Sequence, residues 1–492
     1  MMIGTLASRF TGFLSQSLLT QLFDKNVTDA FVAARRVPYL LRELLAEGAL
    51  TSAFIPTYKS LSKEEARKLS SALLGLLIAL NAVLMIAVYF LTPWLVDLLL
   101  AQNGNVDRAL LEQFLPLTFP VLAMVSLSAW AMGILNAEEK FFATSWAPAS
   151  LNIITVIFMI IFPKQAPMLA VGLVLGGLAQ FLVQVPSLLK GKFVSGFQGL
   201  WHPSIRDILL LMFPSLFSTG GRQILNFFTT NILDKLPQGS VTAFFNADLF
   251  LSMALGLFAV SPSMAYYSRL SDDAANNPKQ FNSTLLSGLR FIAFMAIPGG
   301  LFLSVFANPI TQSVFNWLPL LGRKGADVDT LLYSSLILAP LGLTVFPISI
   351  LSLLGRTFFI RKKIIFSTVF SLGFIFFHGF LYYVLTAAMG VSGLSWATVI
   401  MTWIQFFTLL WIVSRREGFA LGGFITYALR AWAAALIAMA LSYLILLIPG
   451  ASWLINVIKV VAGLLAFTSL YLILGNVFKL PETKQILRRL KL

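Results

Sequence analysis

Six ionised side chains, Asp29, Arg35, Arg36, Arg42, Glu43 and Glu47, stand within one apolar stretch, DAFVAARRVPYLLRELLAEGALTSAFIPTY. A charge at the centre of a bilayer-spanning helix costs roughly 2.5–3.5 kcal/mol even on the lenient insertion scale. A chain retains such charges where they face a wet cavity, a partner charge or a charged substrate. At helical periodicity Asp29, Arg36, Glu43 and Glu47 share one stripe of mixed sign that can largely neutralise itself. Arg35 and Arg42 form a second stripe that is purely cationic. Pro38 removes a backbone hydrogen bond in mid-segment and is expected to act as a hinge.

Other basic residues lie deep in apolar runs. Arg9 shares a helix face with Phe13 and Gln16, and Arg222 sits in the middle of FPSLFSTGGRQILNFFTTNIL beside Gly220 and Gly221. Glycines there permit close helix approach or a local bend. The structural alternative for Arg222 is an ion pair with Asp248. Arg290 and Arg430 lie near helix ends, where a long side chain can snorkel to the interface. Deep arginines with few deep acids make a cavity of positive potential. Guanidinium matches phosphate oxygens bidentately and keeps its charge when desolvated, so the guest expected is phosphorylated or carboxylated.

The elements that must position these groups are helices. The chain is 58% hydrophobic and 11% charged, against about 25% charge in a soluble domain. Its apolar residues fall into fourteen runs, 3–23, 30–57, 72–100, 110–136, 142–163, 167–189, 206–233, 241–267, 282–308, 330–355, 364–388, 392–414, 424–448 and 453–476. Each is long enough for a ~30 Å hydrocarbon core. This predicts an all-α polytopic membrane protein. The first run lacks a small-residue cleavage site and is expected to be a retained helix.

With no cysteine and two histidines, neither a disulfide framework nor a thiolate metal site is open to the chain. The net charge of +15 is explained by topology rather than by nucleic acid. Twenty-one loop and tail Lys and Arg fall on one side of the predicted helices, against six (Lys25, Arg108, Lys164, Lys235, Arg323 and Lys324) on the other. That bias predicts both termini in the cytoplasm. The longest connections, 58–71, 190–205, 268–281 and 309–329, are too short for a folded domain, which argues against an enzyme with a soluble catalytic head.

SRFTGF (8–13), TDAF (28–31) and VPYLLRELLAEGALTSAFIPTY (37–58) resemble the MurJ (MviN) family of the multidrug/oligosaccharidyl-lipid/polysaccharide exporter superfamily, as FFNADLF (244–250) and GRTFFIRKK (355–363) do more weakly. The resemblance implies two six-helix bundles around a central cavity, here 1–190 and 205–414. It adds a lipid-tail groove from helices 13 and 14 at 424–476, followed by a basic tail at 477–492. It places the family's cavity arginines on Arg9 and Arg42, its essential acid on Asp29 and the AEGA glutamate on Glu47. The second helix-1 arginine is replaced by Ser15, and the helix-8 ADR motif reads Ala247-Asp248-Leu249. Arg222 and Arg35 are expected to compensate. The family's helix-7 sodium ligand matches Asp234, but residues 364–389 hold no acid and no Asn, offering Ser367, Thr368, Ser371 and His378. Asp234 is thus left as a lone candidate cation ligand, with no metal site.

The resemblance implies a flippase of the bacterial inner membrane that carries undecaprenyl-diphosphate-linked disaccharide-peptide (lipid II) to the outer leaflet by alternating access. Arg9, Arg42, Arg222 and Arg35 would bind the head group, while Asp29, Glu47, Glu43, Arg36 and Asp248 act as gates. It would need no cofactor, draw on membrane potential or an ion gradient, and work among membrane lipids and cell-wall synthesis proteins. The rivals are an exporter of another anionic lipid-linked glycan and a non-transporting envelope-synthesis scaffold. A polytopic glycosyltransferase would want paired carboxylates in a surface loop, for which Asp272 and Asp273 are too isolated.

Overall fold

The computed structural model describes residues 2–484 apart from 46–48, 195, 197–198, 211, 213–228, 362–363 and 417–421. Every regular element among the described residues is helical. The chain divides into two compact units, Met1–Thr242 with Lys324–Asp327 and Ala243–Arg323 with Val328–Leu492.

The first unit contains α1 (Met2–Leu22), α2 (Lys25–Leu45), α3 (Ala49–Ser60), α4 (Lys63–Leu99), α5 (Arg108–Thr118), α6 (Pro120–Ala137), α7 (Phe141–Ile161), α8 (Ala166–Leu182) and the short α9 (Val185–Gly191). Capping residues set the helix starts that matter here. The Ser62 hydroxyl accepts from the Glu65 amide at the head of α4, and the Asp107 carboxylate accepts from the Leu110 amide at the head of α5. Each satisfies a donor that the first helical turn leaves orphaned. Lipid supplies no hydrophobic force between helices, so close packing through small residues holds them. A Cβ on Gly4 would stand 2.6 Å from the Ser145 carbonyl oxygen, and one on Gly176 would stand 2.5 Å from that of Leu151. These glycines let α1 meet α7, and α7 meet α8, backbone to backbone. Phe31 of α2 packs edge-on against Phe114 of α5, with centroids 5.5 Å apart.

Then comes α10 (Ser240–Leu255), which continues through a π-helical turn at Gly256–Val260 into α11 (Ser261–Asn276). The second unit goes on with α12 (Phe281–Val305), α13 (Ala307–Phe315), α14 (Val328–Gly342), α15 (Val345–Ile360), α16 (Ile364–Met389), α17 (Gly393–Arg416), α18 (Gly422–Ser442) and α19 (Trp453–Val477). Buried α12 crosses α14 where Gly300 and Gly342 each bring a carbonyl within 2.5 Å of the other's missing Cβ. The final helix docks on the same core. Phe467 stacks on Phe302 at 6.2 Å, and the Tyr471 hydroxyl donates to the Phe294 carbonyl at 3.2 Å.

The fourteen apolar runs do not map one to one onto helices. Among the described residues nine helical stretches are long and apolar enough to cross a membrane, and a bent pair makes a tenth. Run 330–355 is that pair, α14 and α15, meeting at 48°. The run 30–57 belongs to α2 and α3, either side of 46–48. The run 110–136 divides into α5 and α6 at Phe119, next to Pro120, which cannot donate a helical hydrogen bond.

Candidate anion-binding face and buried carboxylates of the first unit

Helix α2 runs unbroken through Pro38, so the expected hinge residue lies inside a continuous helix. Asp29 is 2% exposed in its first turns. Its Oδ2 accepts from the Gly239 amide at 2.6 Å, and its Oδ1 accepts from the Thr242 amide at 2.9 Å and the Thr242 hydroxyl at 2.6 Å. Thr28 extends this contact through its hydroxyl, 3.0 Å from that of Thr242. Asp29 thus caps α10 from another helix: a negative charge sits on the positive end of the helix dipole and satisfies its orphan donors. This differs from the neutralising stripe expected on α2, since the donors to Asp29 are amides and a hydroxyl instead of guanidinium.

The arginines lie further along α2. Arg35 donates from Nη2 to Gln16 Oε1 of α1 at 2.7 Å, and its Cζ lies 5.7 Å from the Phe31 centroid. The Arg42 guanidinium stands over the Tyr39 ring at 4.6 Å. These contacts, with a neutral amide and aromatic faces, do not themselves neutralise a guanidinium. Arg36 is 8% exposed, and Arg9 is exposed on α1. α1 is itself fixed by Asn152 of α7, whose Nδ2 donates to the Ser8 carbonyl at 3.2 Å. Ser15, where the family pattern has arginine, is buried. Glu43 lies in α2 with its side chain outside the description, and Glu47, Gly220, Gly221 and Arg222 lie outside the described residues. Asp248 is half-buried on α10, but its expected pairing with Arg222 involves an undescribed residue.

Asp234 is fully buried as a backbone clamp. Its Oδ2 accepts from the Ala101 amide at 2.8 Å and its Oδ1 from the Val106 amide at 2.7 Å, while its carbonyl accepts from the Asn105 amide at 2.8 Å. The Asn105 side chain donates to the Leu236 carbonyl at 2.9 Å. Only glycine fits at 104, since a Cβ there would stand 1.6 Å from Asp234 Oδ2. No group of three or more His, Asp or Glu that could share a metal ion occurs among the described residues. His378 of α16 lies 3.3 Å from the Thr398 hydroxyl.

Sequence reasoning missed Gly239, Thr242, Gly104 and Asn105. A signal was present: Gly-Ser-x-Thr at a helix start and a Gly-flanked Asn in a tight connection both mark backbone in need of partners.

Residues 18–463 match the model of the family described as lipid II flippase MurJ. The chain belongs to this family. A MurJ relative from Bdellovibrio bacteriovorus, called a probable lipid II flippase, is 33% identical over 63% of this chain and 62% of its own length. The chain therefore spans under two thirds of that relative in the alignment. The Burkholderia cenocepacia lipid II flippase MurJ is 28% identical over 80% of this chain and 78% of its own. A solved MurJ in an inward closed conformation superposes with a TM-score of 0.79 at 23% identity, covering 96% of this chain and 98% of that one. An inward-facing multidrug transporter of the MATE family superposes at 0.66 with 14% identity, over 84% and 96% of the two chains. Both likenesses support the fold. The fold is thus common to MurJ and MATE proteins.

Proposed function

We propose that the protein carries lipid II from the inner to the outer leaflet of the bacterial cytoplasmic membrane, with both termini in the cytoplasm. The observation that carries this reading is the cationic face of α2 in a MurJ-family chain. Arg35 donates to the neutral Gln16 and Arg42 stands over the Tyr39 ring, while Asp29, at the start of the same helix, is engaged with Gly239 and Thr242. A diphosphate is the group such a face suits, through bidentate charge-assisted hydrogen bonds.

The mechanism is alternating access. Arginines hold the diphosphate head while the site opens first to one leaflet and then to the other, and the polyprenyl tail stays in lipid beside α18 and α19. No bond is made or broken, so neither nucleophile nor general base is required. Asp29 and Glu47 serve the conformational cycle, since carboxylates at contact range would repel the diphosphate. Membrane potential or an ion gradient supplies the drive.

The buried Ser15 and the half-buried Leu249, where the family pattern carries arginine, favour a second reading, another lipid-linked glycan of lower charge. Complementation of a flippase-depleted bacterium separates the two. Growth supported by this chain upholds lipid II transport. Lysis despite normal membrane abundance points to the other glycan.

A further inference from the structure

In the second unit α11 and the first half of α12 meet the segment after α19 around a cavity of about 330 Å3. Tyr266, Ser283, Ser287, Arg290, Phe291 and Glu482 line it. Arg290 and Glu482 carry opposite charges in this space, yet neither has an ion-pair partner among the described residues. Both are instead turned toward Tyr427. Its hydroxyl donates to Glu482 Oε2 at 2.6 Å, and the Arg290 Cζ lies 5.8 Å from its ring centroid.

Arg290 is also the less satisfied of the two. Its Nε is buried with no hydrogen-bond partner, a costly state for a charged donor. Gly423 admits the guanidinium, because a Cβ there would stand 3.2 Å from Nη2. A cation and an anion that line one cavity without meeting leave room for a guest with both charges. Hydroxyls from Tyr266, Ser283 and Ser287 rim the space, and exposed Phe291 gives it an apolar edge.

We propose that this cavity binds the phosphoethanolamine headgroup of a membrane phospholipid, its phosphate on Arg290 and its ammonium on Glu482. Guanidinium suits a phosphodiester as two parallel donors, and the compact primary ammonium can donate to the free Glu482 oxygen. A choline headgroup has no N–H to donate. A glycerol headgroup has no cation. The acyl chains leave along Phe291 toward lipid. Placement in the cytoplasmic leaflet rests on the orientation proposed above; the headgroup chemistry does not.

The test is native mass spectrometry of the full chain released from nanodiscs of dioleoyl phosphatidylethanolamine, phosphatidylcholine and phosphatidylglycerol in equal parts. The wild type should retain phosphatidylethanolamine at least about fivefold over either competitor, the weight of one charge-assisted hydrogen bond. Glu482→Gln still accepts from Tyr427, so the fold is kept, and its preference should move toward phosphatidylglycerol. Arg290→Gln should lose all phospholipid preference. Equal retention of the three lipids by the wild type would overturn the proposal, as would a preference that both variants preserve. Displacement of the lipid by micromolar soluble phosphoethanolamine would reassign the site to a free metabolite. Retention is read without transport, so failure of the flippase reading leaves this outcome interpretable.

Discussion

Asp29 and Thr242 are joined twice: the threonine hydroxyl and its amide both donate to Asp29 Oδ1, at 2.6 and 2.9 Å. With the Gly239 amide on Oδ2, one buried carboxylate fixes the first turn of α10, the helix that leads out of the first unit. Asp234 pins the start of the same connection to the 101–106 turn. The segment 234–242 is thereby clamped at both ends within the first unit.

Asp29→Asn keeps the shape of the side chain but replaces one accepting oxygen with a donor that faces donors. The loss should be about 2 kcal/mol, the cost of an unmatched buried group together with a lost charge at a helix N-terminus. Thr242→Val removes the hydroxyl alone and should cost about 1 kcal/mol. Hydrogen exchange at amides 239–242 should rise in both, and Asp29→Asn should fail to complement. Complementation lost with exchange unchanged would move Asp29 from the cap to direct contact with cargo or a proton.

Gly104→Ala should be among the most damaging small substitutions in the first unit. Its Cβ would fall 1.6 Å from Asp234 Oδ2, so the carboxylate must leave the Ala101 and Val106 amides. Two buried amides without partners cost about 2–6 kcal/mol together. The thermal midpoint in detergent should fall sharply, while Gly196→Ala, with open space at its Cβ position, serves as a control for the loss of a loop glycine alone. A Gly104→Ala midpoint equal to that of the control would show that the turn relaxes around the methyl group.

Much of this was legible in the sequence because membrane helices declare themselves by length and apolarity. Kinks do not. Run 110–136 reads as one span by hydropathy although Pro120 starts a new helix, and α14 and α15 bend at 48° inside one apolar run. At the site, Arg35, Arg42 and Asp29 stood out because charge in an apolar segment is conspicuous. Their partners did not: Thr242 lies 213 residues from Asp29, and Ala101 lies 133 from Asp234. Neither helical periodicity nor spacing carries information across such separations. The family pattern likewise offered Asp234 as a cation ligand without saying that backbone amides already surround it.

Arg42→Ala should abolish complementation at unchanged membrane abundance, because the guanidinium over Tyr39 is assigned to the diphosphate. Arg42→Lys restores the charge but not the planar fork, and should recover little. Tyr39→Leu removes the aromatic face, worth about 0.5–2 kcal/mol to a cation, and should weaken lipid II binding while leaving some transport. Measuring lipid II affinity alongside growth separates the outcomes. Full affinity in Arg42→Ala would place the residue in the conformational cycle instead.

Gln16 and Arg35 offer the sharpest test of whether positive charge on this face is used. The Gln16 amide oxygen holds the guanidinium at 2.7 Å without neutralising it. Gln16→Glu has nearly the same shape and turns the contact into an ion pair, cancelling the charge offered to an anion. Transport should fall about tenfold or more, the weight of roughly 1.4 kcal/mol at the rate-limiting state. Gln16→Leu leaves the charge and removes only the Gln16 contact, so affinity should fall less than in Gln16→Glu. The ordering matters more than either value, since a purely structural role predicts the reverse: the ion pair would hold Arg35 more firmly, and Leu would be the worse variant. Gln16→Glu supporting wild-type transport would remove Arg35 from the path of the diphosphate and leave Arg42 as the main guanidinium assigned on α2.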